Sequence, residues 1–385
     1  RFSFHGTVAQ HAAECTTTEA GGWCIEMTGR RHVSLANNQS FWLPRHHVGA
    51  ELAESRAHSH ATAAGDTYFF APPILDGTVR DGAGLVFLAH GLSHSGLDFV
   101  AQSDEIPNGK GLPVEVALVD ALRSRGHGAV AMSSKAPLGP WRAADDVPRL
   151  ERVLKHLCQS ELWLRGAALY AIGVSNGGTF VQELALLVAA GKCVLELRLV
   201  GIGVQVMALK PSRLQAALLD EHIVTRRHPR VAFVHMPRDT RTRAAVASNM
   251  AALQRQNVPC RAYACAPRPL DEGFFAREIS GLDHALSAAI VKALLATGHV
   301  NSTTRELLFD PRMSTWRHAL APLRTQLGED ALVADVSPIA ELLNLAFAQH
   351  EITAEHINEV MAFLETGCAA GCVATAAAED PLGVV

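Results

Sequence analysis

The chain has no apolar run long enough to cross a membrane. The longest, Leu199 to Leu209, contains Gln205 and two glycines and falls well short of the ~20 residues a spanning helix needs. A long Lys/Arg run is also missing. With a formal net charge of -4, the chain is poorly suited to neutralise phosphates, which argues against nucleic acid as a partner; Arg226, Arg227 and Arg230 make only a small local cluster. None of the eight cysteines belongs to a paired CxxC array, so a structural zinc site of that type is not expected and reduced structural thiols are the simplest reading. His90 and His94 stand at i and i+4 without a third ligand nearby, and His350-Glu351 lacks the spacing of a metalloprotease helix, so metal chemistry is not expected either. Arg1 is followed by no apolar leader, and any targeting segment is expected to have been removed or never included.

There is ample material for a core. Hydrophobic residues make up 48% of the 385 and charged residues only 19%, a globular balance with no signature of disorder, and we expect one large domain with attachments. Cys15 and Cys24 bracket a turn, and Asn38-Gln39-Ser40 and Asn301-Ser302-Thr303 match the glycosylation acceptor pattern. These features lean toward the secretory pathway, with the cytoplasm as the alternative.

Periodicity defines three regions. Residues 1–64 read as a β-rich segment joining the sheet, with a hairpin around Gly29; residues 65–300 read as alternating strands and helices; residues 301–385 read as a helical extension and an Ala/Gly tail. Thr67 to Ala71 and Leu85 to Ala89 are expected strands on either side of turns at Pro72-Pro73 and Asp76-Gly77. Pro113 opens a helix through Val114, Leu118 and Leu122, which Gly126 ends before the strand Ala129 to Met132. Asp145 and Asp146 start a helix whose apolar positions recur at three and four residues. Further strands are expected at Ala168 to Val174, Leu197 to Gln205, Val231 to Met236 and Arg261 to Cys265, with intervening helices from Asn176 and Thr242. The alternation implies a mostly parallel sheet covered on both faces, an α/β fold. Ser337-Pro338 starts a later helix, and Thr353 is expected to cap another through Ile357, Val360 and Leu364.

The candidate chemistry centres on Gly173-Val174-Ser175-Asn176-Gly177-Gly178, which follows an apolar strand and opens a helix. Glycines on both sides let strand and helix pass close to a serine in strained geometry, a nucleophile elbow whose hydroxyl stands above the sheet. His90-Gly91-Leu92 ends an earlier strand, and the backbone N–H groups of Leu92 and Asn176 are the expected oxyanion donors. A general base should lie on a loop after a late strand, and Asp283-His284 before an apolar helix fits, with His235 and His127 as fallbacks. Asp239, after the strand Val231 to Met236, is the expected orienting acid and Asp271 the runner-up. Asp239 has an ordinary alternative use as a helix cap. Trp141, Met207 and Phe274-Phe275 are candidate pocket walls or plain core.

The strand ending His90-Gly91, the Trp141 to Val147 segment with paired aspartates, the Ser175 elbow, Asp239 and His284 together resemble the α/β-hydrolase superfamily over roughly Thr67 to Gly298. The Ser-Asn-Gly-Gly elbow after Trp and Asp-Asp-Val is similar to the polyhydroxybutyrate depolymerase and feruloyl esterase-like branch. Phe233 to Asp239, Asp310-Pro311-Arg312 with Trp316-Arg317, and Ser337-Pro338-Ile339 to Glu351 are similar to uncharacterised plant and algal hydrolase-like proteins. The resemblance implies a serine esterase acting on a small-molecule or polymeric ester with no cofactor. Two other readings remain: a catalytically silent hydrolase fold that docks a partner through Pro338 to Leu364, and a serine peptidase, for which no propeller-type repeats are present.

Overall fold

In the computed structural model the described residues are 57–74, 84–136, 138–220, 228–333 and 337–367, together with the backbone of three short strands near the N-terminus. Cys15, Cys24, Asn38, Asp76-Gly77, Arg226-Arg227 and the Ala/Gly tail lie outside them. Arg1–Glu54 and Ser55–Val385 are separate compact units. Within the first, Ile25–Thr28 pairs antiparallel with Arg30–Ser34, with Thr28 opposite Arg30, and Arg30–Ser34 pairs with Ser40–Trp42.

The second unit is built on eight strands: β1 His58–Ala61, β2 Thr67–Ala71, β3 Gly84–Ala89, β4 Gly128–Met132, β5 Ala168–Val174, β6 Arg198–Gln205, β7 Arg230–His235 and β8 Cys260–Ala264. Their spatial order is β8-β7-β6-β5-β3-β4-β2-β1. The pairings from β4 to β8 are parallel, whereas β2 runs antiparallel to both of its neighbours. β3 is buried along its whole length, as a strand with helices on both faces must be. The order, the single reversed strand and the serine turn after β5 make this an α/β-hydrolase fold.

Period-two alternation sends successive side chains to opposite faces. On one face Leu85, Phe87 and Ala89 of β3 meet helices α2 Ala143–Ser160, α3 Asn176–Ala189, α4 Pro211–Leu218 and α5 Thr240–Arg255. On the other, Val86 and Leu88 lie in a core shared with α1 Pro113–Ser124, α6 His284–Ala296, α7 Pro338–Phe347 and α8 Ile357–Thr366. α7 and α8 are therefore part of the main core. α7 starts as expected, with Ser337 Oγ accepting from Ala340 N–H. α8 does not: its N-cap is His356, in the left-handed region at φ 62°. Thr353 stays in the preceding loop, where its backbone is held by Gln205.

Phe87 is fully buried, with edge-on contacts to Trp141 and Phe180 at centroid separations of 5.8 and 6.1 Å. Phe87→Ala should cost about 3–5 kcal/mol, read from urea unfolding at constant slope. A loss under about 1 kcal/mol would contradict this placement of the core.

Candidate active site

The turn between β5 and α3 is set by steric exclusion. A Cβ at Gly173 would collide with the Gly177 carbonyl, and one at Gly177 with the carbonyls of Ala89 and His90. Only glycine permits both approaches. The crossing forces Ser175 to φ 51°, ψ -114°, a region that costs a non-glycine residue roughly 1–3 kcal/mol. Surrounding bonds hold it there. Ser175 N–H donates to Gln205 O at 3.0 Å, and Thr179 N–H to Ser175 O at 3.2 Å. Trp141 N–H donates to Asn176 Oδ1 at 2.6 Å and its indole N–H to His90 O at 3.0 Å. Trp141 thus staples the elbow to the β3 loop and is not a pocket wall. Met207, Phe274 and Phe275 also lie outside the cavity lining.

The histidine beside Ser175 is His350. Its Nε2 is 3.0 Å from Ser175 Oγ, and its Nδ1 is 2.8 Å from Asp239 Oδ2. Asp239 divides its oxygens, since Oδ1 caps α5 by accepting from Thr242 N–H at 2.9 Å. One carboxylate thus bonds the His350 ring and caps the helix at the same time. Burial raises the Asp239 carboxyl, but the bonds from His350 and Thr242 outweigh it and hold the group below the ordinary range.

His284, the expected base, is elsewhere. It is the first residue of α6, behind Asp283, which caps Leu286 N–H, and its ring lies against Gly273. The reason is geometric: α6 begins beside the Asp271–Arg277 ion pair, while the loop from α7 to α8 passes over the elbow. The fallbacks are also placed differently. His127 bonds Glu365 and Gly84 N–H, and His235 ends β7 with a buried, unpartnered Nδ1.

The His350 loop is fixed at several points. Arg312 Nη2 donates to His350 O at 2.6 Å and pairs with Glu351 Oε2 at 2.8 Å. Asn344 also donates to Glu351 Oε2, and Ile352 N–H to its Oε1. Gln205 clamps Thr353 through both ends of its amide, each bond 2.9 Å. Gln205 therefore holds the serine with its main chain and the histidine loop with its side chain.

A cavity of about 220 Å³ opens at the serine, lined by His90, Gly91, Leu92, His94, Phe99, Glu115, Arg312 and His350 among others. Asn176 N–H is in the first turn of α3, where amides lack intrahelical partners, and Leu92 is in the loop across from it. His90 is buried and neutral at physiological pH, its pKa pushed down to about 4 by burial. Its Nδ1–H donates to Gly91 O at 2.7 Å, and its Nε2 accepts from Ser134 N–H at 3.0 Å.

Glu115, on the cavity lining, and Glu341 are buried carboxyls close enough to interact. Glu115 Oε2 and Glu341 Oε1 receive no donor from other described groups, so the pair needs a shared proton. Burial pushes Glu115 up to about 7 and Glu341 well above the ordinary value. His94, Asp98 and Glu115 bring three ligand-type atoms within 4.8 Å of one another. The set fits a metal ion poorly: His94 Nδ1 is already bonded to Asp98 at 2.9 Å, and Lys110 pairs with Asp98 at 3.0 Å, so we read these residues as a charge network. Cys265, Glu355 and His356 form a second such group, with Glu355 engaged by Arg268.

No protein-family model matches the chain, and neither does any curated protein. Solved structures that it resembles include a thermostable esterase, at 13% identity and TM-score 0.36 over 61% of this chain and 59% of that one. Another is the esterase domain of a Rhodothermus marinus protein, at 13% and 0.35 over 63% of this chain and 96% of that one. A third is the Pyrococcus horikoshii acylaminoacyl peptidase, at 9% and 0.37 over 61% and 41%. The chain thus spans less than two thirds of the first and third. At these values the likenesses add nothing to the sheet order and side-chain geometry described above.

The carboxyl pair makes stability depend on pH. A carboxyl whose folded pKa is raised binds more protons folded than unfolded between the ordinary 4.5 and about 7, so its contribution falls as pH rises through that window. The melting temperature of the wild type should therefore drop more between pH 5 and 8 than that of Glu341→Gln. Parallel curves would remove the shared proton from the account.

Proposed function

We propose that the protein is a serine hydrolase that cleaves a carboxylic ester through an acyl-enzyme. One observation carries the reading: a strained, helix-terminal Ser175 Oγ 3.0 Å from His350 Nε2, with Asp239 2.8 Å from the other ring nitrogen. In this scheme Ser175 is the nucleophile, His350 the base and Asp239 the orienting acid. Asp239 accepts the Nδ1–H of His350, leaving the Nε2 lone pair to take the seryl proton as Oγ attacks the ester carbonyl. The backbone N–H groups of Leu92 and Asn176 receive the oxyanion. His350 then protonates the leaving alcohol, and water, activated by the same ring, releases the acid. Every group in the scheme comes from the chain.

An ester is favoured as the substrate class by the likeness of the Ser-Asn-Gly-Gly elbow to the polyhydroxybutyrate depolymerase and feruloyl esterase-like branch. The test is p-nitrophenyl butyrate hydrolysis together with labelling by a fluorophosphonate probe. Wild type should turn over and label. Ser175→Ala and His350→Ala should lose about 10⁴-fold or more in kcat, whereas His284→Ala should stay within a few-fold. Folded wild type that neither labels nor hydrolyses would favour a silent, partner-binding hydrolase fold. Faster turnover of a peptide anilide would favour a peptidase.

A further inference from the structure

We propose that His94 is a further catalytic residue, its imidazolium presenting Nε2–H to the oxygen on which charge develops when Ser175 attacks. The inference rests on the reading of Ser175 and His350 given above.

The ring is oriented from behind. Its Nδ1 bonds Asp98 Oδ2 at 2.9 Å and stands 3.9 Å from Glu115 Oε1, so both acids lie on the Nδ1 side and Nε2 is on the opposite edge. Asp98 is fully buried and held by Ser95 N–H, Ser95 Oγ and Lys110. That makes it a fixed acceptor. His94 lines the same cavity as Ser175 and His350, and no described residue hydrogen-bonds its Nε2. The site occupied by a hypothetical Gly91 side chain would be 3.7 Å from His94 Cδ2 and 3.8 Å from Ser175 Cβ. His94 and Ser175 thus lie on either side of Gly91, beside the loop that also carries Leu92 N–H, and both line the cavity. His90, four residues earlier, differs in that both of its nitrogens are already used.

Protonation decides whether the group can act. With Nδ1–H given to Asp98, a neutral ring turns a lone pair toward the oxyanion, and only the imidazolium donates from Nε2. Burial works against that cation, but the Asp98 bond and the charges of Glu115, Asp98 and Glu351 outweigh it and hold His94 above the ordinary histidine range. His90 is neutral in this pH range and adds no opposing charge, Lys110 pairs with Asp98, and Arg312 and His350 are elsewhere on the cavity lining. Activity should therefore fall on the alkaline side as His94 loses its proton.

The experiment compares wild type, His94→Ala and His94→Gln for p-nitrophenyl butyrate kcat and KM across pH, with folding checked by circular dichroism. His94→Ala should lower kcat by about 10²-fold, as loss of one oxyanion donor does, with KM little changed. His94→Gln, an uncharged donor, should recover part of the rate and lose the alkaline limb. It also carries the test if the alanine variant fails to fold. Unchanged kcat in both variants, or an alkaline limb that persists in folded His94→Gln, overturns the proposal alone. A folded wild type that neither hydrolyses the ester nor labels with fluorophosphonate overturns the serine-hydrolase reading and this one together.

Discussion

Everything at the candidate site follows from how closely α3 approaches the ends of β3 and β5. The carbonyls of Ala89 and His90 occupy the space where Gly177 would carry a side chain, and Gly177 in turn fills that of Gly173. Backbone this close leaves Ser175 no relaxed conformation. The strain is held by bonds from Gln205, Thr179 and Trp141 and by a sheet whose central strand is buried on both faces. Preorganisation of this kind keeps a hydroxyl fixed at a helix N-terminus with no need to order it at the moment of attack.

A second level of order lies in the groups that connect distant parts of the chain. Gln205 ends β6, so its position is set by pairing with β5 and β7; from there it holds the serine turn and the Thr353 backbone at once. Arg312 and Glu351 close the other side of the His350 loop. Asp239 owes its direction to capping α5. None of these residues needs to touch a substrate, yet each fixes a distance on which proton transfer would depend.

The sheet was largely legible in the sequence because its strands are short apolar runs between turn residues, and the elbow because its glycines have a steric cause visible in one dimension. The place of Asp239, in the loop directly after β7, was legible for a similar local reason. His284 stands away from Ser175 because Asp-His before an apolar helix also describes an ordinary capped helix start, which Asp283 provides. His350 carries a comparable local signal, lying between two apolar helices. What singles it out is the packing of α7 and α8 onto the sheet, a long-range contact with no periodic signature. For Trp141 the sequence left pocket wall and plain core open; its burial in the core decides for the second, and its two N–H donors add a role that no periodicity signals.

The separation of 175 positions between Ser175 and His350 also has a consequence in time. A ribosome adding roughly 5–20 residues per second would make the elbow sequence many seconds before it delivers the residue proposed to take the seryl proton. In the proposed scheme competence would arrive late and all at once, when α7 and α8 close over the sheet.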